Sequence, residues 1–223
     1  MTIRLAVLDM AGTTVADDGL VVRAFDEAAT AVGLPASGPD RDDARRYVLD
    51  TMGQSKIVVF RALFGSDERA RLANDAFERA YERFVDQGDV SAVPGAEKAI
   101  TQLREAGVKV VLTTGFSRST QDRLLDALGW RDLADLALTP ADAGRGRPYP
   151  DMILTALLRT GTDDVRDVAV VGDTAGDILS GLRAGASVVA GTRTGAHDEA
   201  TLREAGATHV LDSIADLPAL LLA

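Results

Sequence analysis

Two apolar runs, each stopping at an acid, constrain the fold of this chain more than any other feature. Ile3 to Leu8, interrupted only by Arg4, ends at Asp9, and Val168-Ala-Val-Val-Gly ends at Asp173. Runs of this length read as strands buried on both faces, the habit of parallel sheets covered by helices. Val108-Lys-Val-Val-Leu-Thr-Thr114 reads the same way and ends in hydroxyls and Gly115. In an open parallel sheet the carboxyl ends of the strands share one edge, and ligands bind there. Asp9, Thr114 and Asp173 are therefore expected to converge although they lie far apart in the chain. Taken alone, Asp9 before the turn Gly12-Thr13-Thr14 is as well explained as a cap as it is as a rigidly held nucleophile. The acid and hydroxyls at the other strand ends favour the second reading.

The second half alternates strand and helix throughout. Helices are expected at Ala96 to Ala106, Thr120 to Leu128, Asp151 to Thr160 and Asp177 to Ala184, with short strands at Leu136 to Leu138, Ser187 to Ala190 and His209 to Leu211. That alternation implies an α/β fold, a Rossmann-like parallel sheet with helices on both faces. The stretch between the first two strands is different. Helical patterns cover Leu20 to Val32, Arg41 to Asp50, Gln54 to Phe64 and Ser66 to Asp86, with no alternating strand pattern. A crossover between parallel strands needs only about a dozen residues. Residues 17–93 are therefore read as an inserted α-helical cap on a core made of 1–16 and 94–223, the chain returning through Val93-Pro-Gly95.

Composition removes several classes of function. There is no Cys, so no disulfide, thiolate metal site or Cys nucleophile. The net charge of −10 argues against a nucleic-acid surface, and no apolar run approaches the roughly 18–20 residues of a membrane span. Met1-Thr-Ile-Arg-Leu lacks the pattern of a secretory signal, and a cytoplasmic enzyme is the expectation. Neither His197 nor His209 falls in a stretch that reads as a site, which disfavours a Ser-His-Asp machine. Of 24 basic residues only Lys56, Lys98 and Lys109 are lysine. Where arginine supplies charge almost everywhere, a retained lysine raises the question of whether its amine is needed.

Two strand-end carboxylates and the carbonyls of the intervening turn offer hard oxygen ligands suited to Mg²⁺. Thr114, the Gly115 turn and Arg147 on the following loop can hold phosphoryl oxygens. Phosphoryl transfer depends mainly on such positioning and charge neutralisation. Gly-x-x-x-x-Gly-Lys-[Ser/Thr] is absent, and the glycines of Gly172-Asp-Thr-Ala-Gly176 do not fit Gly-x-Gly-x-x-Gly.

Leu8-Asp9-Met-Ala-Gly-Thr-Thr14, Leu112-Thr-Thr114-Gly-Phe, Gly146-Arg147-Pro-Tyr-Pro150 and Val171-Gly-Asp173-Thr-Ala-Gly-Asp177 resemble, in order, the four motifs of the haloacid dehalogenase superfamily. The resemblance implies that Asp9 becomes an aspartyl-phosphate and that Mg²⁺ is held by Asp9, the Ala11 carbonyl and Asp173, with Asp177 behind them. It also implies a phosphate pocket of Ala11, Gly12, Thr13, Thr114 and Gly115. Two positions depart from the commonest pattern: Ala11 replaces an Asp that protonates alcohol leaving groups, and Arg147 replaces a Lys. Both departures resemble the phosphonatase branch, whose cap lysine forms a Schiff base with an aldehyde substrate. Met52-Gly53-Gln-Ser-Lys56 resembles the matching cap stretch, with Lys56 at the amine position and Met52 and Gly53 at the pocket. Where that branch has a histidine three residues past the lysine, this chain has Val59, with Gln54 and Ser55 as nearby polar groups.

The expectation is thus a Mg²⁺-dependent hydrolase cleaving the C–P bond of phosphonoacetaldehyde or a related 2-oxoethylphosphonate, with Asp9, Lys56 and Arg147 as its catalytic residues. Its partners would be a small anionic phosphonate or phosphate and, as an assembly, a second copy in a homodimer. One alternative is a phosphoglycolate-phosphatase-like enzyme acting on a small phosphate monoester. Another is a non-catalytic binder of phosphate ligands.

Overall fold

The computed structural model describes residues 2–223. The chain opens with β1 (Leu5–Asp9), every residue of which is buried. A tight turn leads to β2 (Val15–Ala16), and four helices follow: α1 (Leu20–Ala31), α2 (Pro39–Asp50), α3 (Lys56–Phe64) and α4 (Asp67–Asp86). β3 (Ser91–Ala92) then pairs antiparallel with β2, so the inserted helices leave and rejoin the rest of the chain side by side. From there helices and strands alternate: α5 (Ala96–Glu105), β4 (Lys109–Thr113), α6 (Arg118–Leu128), β5 (Leu136–Leu138), α7 (Pro140–Ala143), α8 (Asp151–Thr160), β6 (Val168–Gly172), α9 (Ala175–Ala184), β7 (Val188–Thr192), α10 (Glu199–Glu204), β8 (His209–Leu211) and α11 (Leu217–Leu221).

Six strands form one parallel sheet in the order β5-β4-β1-β6-β7-β8. β1 sits inside it, paired with β4 on one flank and β6 on the other. The chain builds outward to β5 on the β4 side and then returns to build outward from β6. The strand order therefore reverses beside β1, and a crevice opens where such a reversal occurs. Register sets Asp9 opposite Thr113 and Leu8 opposite Val171, so Asp9 and Asp173 emerge on neighbouring strands at one edge.

The apolar pattern drives this arrangement. Leu5, Ala6, Val7 and Leu8 are all buried, with Leu5 and Val7 packing on one sheet face and Ala6 and Leu8 on the other. Alternate side chains of a strand point to opposite faces, so a strand apolar at every position suits a sheet covered on both. The inserted helices pack on an aromatic group that is continuous with the apolar cluster on one face of the sheet. Phe60 of α3 lies between Phe25 of α1, Phe64 and Phe77 of α4, with ring centroids 6.3, 6.0 and 5.9 Å away. Each such buried ring contributes on the order of 1.5–3 kcal/mol through area alone. The series continues through Tyr81 to Phe116, whose ring lies 4.5 Å from that of Tyr81 and belongs to the loop after β4. Aromatic packing thus crosses from the inserted helices to the sheet edge.

Several boundaries differ from the sequence reading for identifiable reasons. α3 begins at Lys56 rather than Gln54, because residues 51–54 form a turn with Gly53 at φ +81°. α9 begins at Ala175 rather than Asp177, because Thr174 is its N-cap and accepts from the Asp177 amide while the Asp177 carboxylate accepts from the Thr174 amide. α6 starts at Arg118, capped by Ser117. β7 runs to Thr192, two residues past the expected end, and the two-residue β2–β3 ribbon and the short helices α7, α10 and α11 are additions to the sequence expectation. Among the described residues no helix is long and apolar enough to cross a membrane.

Candidate active site

The turn after β1 is drawn tight by one carbonyl. The amides of Thr13, Thr14 and Val15 all donate to Met10 O, at 3.1, 2.9 and 2.8 Å. Gly12 takes φ +88°, a left-handed conformation, and a Cβ there would lie 2.4 Å from Asp173 Oδ2. Glycine is required twice over at this position. Thr13 Oγ1 then donates to Asp173 Oδ1 at 3.1 Å, and Thr14 Oγ1 donates to Asp9 O at 2.9 Å. The first motif is thereby tied to the carboxylate that ends the neighbouring strand.

Asp173 is gripped from its other side by a loop that the sequence reading does not include. The Ala196 amide donates to Asp173 Oδ2 at 2.7 Å, and Thr194 Oγ1 donates to Gly12 O at 2.7 Å. His197, which the sequence reading sets outside any site, is in fact at its edge. Its amide donates to Asp173 O at 3.2 Å, its Nδ1 accepts from the Ala175 amide at 2.9 Å, and its Nε2 lies 3.4 Å from Leu49 O at the end of α2. His209 stays exposed on β8, as expected. The loop follows β7, so the strand-end rule applied to a correctly extended β7 is the signal that would have found it.

Arg147 joins the pieces. Its guanidinium pairs with Asp9 Oδ1 at 2.5 Å and with Asp177, donates to Thr113 Oγ1 at 2.7 Å, and donates to Gly53 O at 3.2 Å. The hydroxyl it reaches is that of Thr113; the Thr114 hydroxyl instead accepts from the Phe116 amide at 3.2 Å. Carboxylate oxygens of Asp9, Asp173 and Asp177 lie within 4.8 Å of one another, all buried. Burial, then the neighbouring acids, push Asp9 well above the usual carboxylate range against the pull of Arg147. Burial and Asp177 raise Asp173 to about 6. Three buried carboxylates facing one guanidinium leave negative charge that a hard divalent cation is suited to balance. Asp9 and Asp173 line the cavity directly, whereas Asp177 is turned onto Arg147 and Thr174, which makes Asp9 and Asp173 the carboxylates placed to meet such an ion.

A cavity of about 380 Å³ lies over these groups, lined by Asp9, Ala11, Gly12, Met52, Gly53, Lys56, Thr114, Gly115, Arg147 and Asp173 among others. Those are the sequence-predicted residues, apart from Thr13 and Asp177, which stand behind Asp173 and Arg147. Residues not foreseen also line it: Asp17 and Asp18 before α1, Val21 and Val22 of α1, Leu49 of α2, and Thr194 to Ala196. The Gly53–Gln54 backbone rests directly on Gly115, where a Cβ would lie 2.8 and 2.7 Å from their carbonyl oxygens. Gln54 and Ser55 face a second cavity of about 630 Å³ beyond that contact.

Lys56, the first residue of α3, is only 8 % exposed. Its Nζ lies 5.7 Å from the Phe77 ring centroid and 5.6 Å from that of Phe116. Burial lowers its pKa from 10.5 to about 8, opposed chiefly by Asp17 and Asp9. Arg147 adds a smaller push in the same direction as burial, so desolvation rather than a neighbouring cation is the main cause. Lys98 and Lys109 are exposed. Val59, one turn along α3, is buried in the aromatic core and presents no proton carrier.

Comparison with known proteins places this geometry in context. The profile of the haloacid dehalogenase-like hydrolases matches residues 3–185. A phosphonoacetaldehyde hydrolase of Pseudomonas aeruginosa is 33% identical over 87% of this chain and 74% of its own length. A phosphonoacetaldehyde hydrolase of Hahella chejuensis is 29% identical over 97% of this chain and 85% of its own. The crystal structure of a phosphonoacetaldehyde hydrolase-like protein from Oleispira antarctica superposes with a TM-score of 0.86 at 25% identity, covering 100% of this chain and 92% of that one.

Proposed function

The chain belongs to the haloacid dehalogenase-like hydrolases, and we propose that it cleaves the C–P bond of phosphonoacetaldehyde or a closely related 2-oxoethylphosphonate. The observation that carries this reading is the Lys56 amine, buried in the same cavity as Asp9 and lowered to about 8. Free amine is the form that attacks a carbonyl, and its fraction at neutral pH rises as the pKa falls. The names of the relatives point the same way.

In this reading the Lys56 amine adds to the substrate aldehyde and loses water to form a protonated imine. The Asp9 carboxylate attacks phosphorus; the C–P bond breaks, and its electron pair moves into the iminium to leave an enamine. The enamine takes a proton on carbon, and water hydrolyses the imine to release the carbonyl product and restore the amine. A second water hydrolyses the aspartyl-phosphate. Arg147 and the Thr114 hydroxyl orient the phosphoryl oxygens. Asp9, the Ala11 carbonyl and Asp173 would hold Mg²⁺, which would supply charge neutralisation at those oxygens. Because the electron pair enters an iminium, no acid is needed for an alkoxide, which suits Ala11 at a position where an ester phosphatase would place a carboxyl. Residues 17–93 act as a cap that delivers Lys56 to a core formed by 1–16 and 94–223.

Borohydride added together with the aldehyde substrate is expected to fix a covalent adduct that peptide mass mapping assigns to Lys56. Lys56→Arg is expected to lose both the adduct and phosphonate cleavage. An unmodified Lys56 in a chain that still turns over the phosphonate would refute the imine.

A further inference from the structure

The acids at the mouth of the cavity bear on which substrates it accepts. Among the described residues that line it, the side-chain cations are Lys56 and Arg147. Arg147 is held by Asp9, Asp177, Thr113 and the Gly53 carbonyl, and in the proposed reaction its remaining donor serves the phosphoryl oxygens rather than the carbon fragment. In the proposed reaction, Lys56 must be neutral to attack the carbonyl, and the charge of its imine is taken up by the electron pair of the breaking C–P bond. Val21, Val22, Leu49 and Met52 give the cavity apolar lining, and two adjacent acids, Asp17 and Asp18, line it as well. Asp18 is exposed and Asp17 half-buried, which sets them at the opening, while Asp9 and Asp173 lie at the floor. Asp17 is held in place, its Oδ1 accepting from the Val21 amide at 3.2 Å.

We propose that this cavity selects by charge: it takes a phosphonate whose carbon fragment is electrically neutral and rejects one carrying a second anion. The inference rests on the proposed function for its substrate class and extends it to the part of the substrate that does not react. A carboxylate on the fragment meets apolar side chains and two like charges, and pairing it with Lys56 would hold that amine protonated and unreactive. Removing an anion from water without a partner is costly, and facing like charge adds to the cost. Selection here works through repulsion rather than through a dedicated contact. It also separates the two hydrolase readings, since a phosphoglycolate-type substrate carries that second anion.

Binding of ethylphosphonate and phosphonoacetate, which differ in the charge of the tail, tests this by calorimetry with Mg²⁺ present. The Lys56→Met chain is used, so that no free amine attracts the carboxylate. Ethylphosphonate is expected to bind at least about tenfold more tightly, the scale of one modest like-charge repulsion near a protein surface. Asp18→Asn and Asp17→Asn should each narrow that ratio. Asn tolerates the left-handed φ of +44° at position 18 and keeps an acceptor for the Val21 amide at position 17. A second measurement uses the wild-type chain and Asp18→Asn. Each is assayed for kcat/KM on phosphonoacetaldehyde and on its carboxylated analogue, phosphonopyruvate. The preference for the uncharged fragment should fall in the variant, and the intrinsic reactivities of the two substrates cancel when the variant's preference is divided by that of the wild type. Equal or tighter binding of phosphonoacetate, or ratios unmoved by both substitutions, would overturn the proposal. A neutral preference without any Lys56 adduct would uphold it and defeat the imine reading alone.

Discussion

Lys56→Met should make this protein more stable while destroying its activity. The wild-type amine titrates at about 8 in the folded chain against 10.5 when unfolded. A shift of that size corresponds to about 3 kcal/mol, at about 1.4 kcal/mol per pKa unit. The sign follows from which state holds the proton. Below about pH 8 both states are charged, and the folded state carries the whole burial penalty. Between about 8 and 10.5 the folded state releases its proton first, so wild-type stability rises with pH. Methionine matches the stem of lysine without the charge, and it also removes the favourable field at Asp17 and Asp9, so the net gain is expected at about 1–3 kcal/mol at pH 7. Urea denaturation of both chains at pH 7, 8, 9 and 10 in a chelating buffer reads the difference directly. The gap should be widest at pH 7 and close as pH 10 is approached. A variant less stable than wild type at pH 7, or a gap that does not change with pH, would refute the desolvated amine. The same shift leaves about one amine in ten free at pH 7, against about one in three thousand for an unperturbed lysine. Phosphonate turnover should accordingly climb with pH to a plateau above about 8.

Three further outcomes follow from contacts at the site. Gly115→Ala should push the Gly53–Gln54 backbone off the sheet edge, because its Cβ would sit 2.7 Å from Gln54 O; about 1–3 kcal/mol of stability should be lost in urea melts, with catalytic efficiency falling more than Tm. Gly195→Ala sets a Cβ 2.0 Å from Asp173 Oδ2, and a Mg²⁺ titration should show affinity weakened by about tenfold or more. Arg147→Lys loses the fork that reaches two buried carboxylates at once, and urea melts at neutral pH should show about 3–5 kcal/mol of stability lost with it.

The sheet was legible because its signal is local. β1 and β6 are apolar at nearly every position, and a strand buried on both faces leaves that mark without help from distant residues. Convergence of Asp9, Arg147 and Asp173 followed from one topological rule. What stayed hidden depends on contacts that sequence does not display. Ala196 and His197 grip Asp173 through their backbone amides, and a backbone donor carries no residue signature. Asp17 reads as an ordinary turn residue until the fold sets it over Lys56. The short helices α10 and α11 are too brief for periodicity to register. Lys56 stands out as a lysine where arginine is the rule, but the reason its amine is perturbed lies in Phe77 and Phe116, from opposite sides of the junction.

Those two rings explain why so much unfavourable chemistry can sit in one cavity. A buried lysine and three clustered carboxylates with one guanidinium among them each count against folding. The lysine lies where the aromatic series from Phe25 to Phe116 crosses between the inserted helices and the sheet edge. The apolar packing that holds the two parts together is thus the same packing that strips water from Lys56. Weakening it to relieve the amine would also loosen the junction, and tightening it would lower the amine further. Arg147 ties charge to closure in the same way, since the guanidinium that balances Asp9 and Asp177 also holds Gly53 O above Gly115. Cohesion and reactivity here are set by one group of contacts, and a substitution at the junction should move both together.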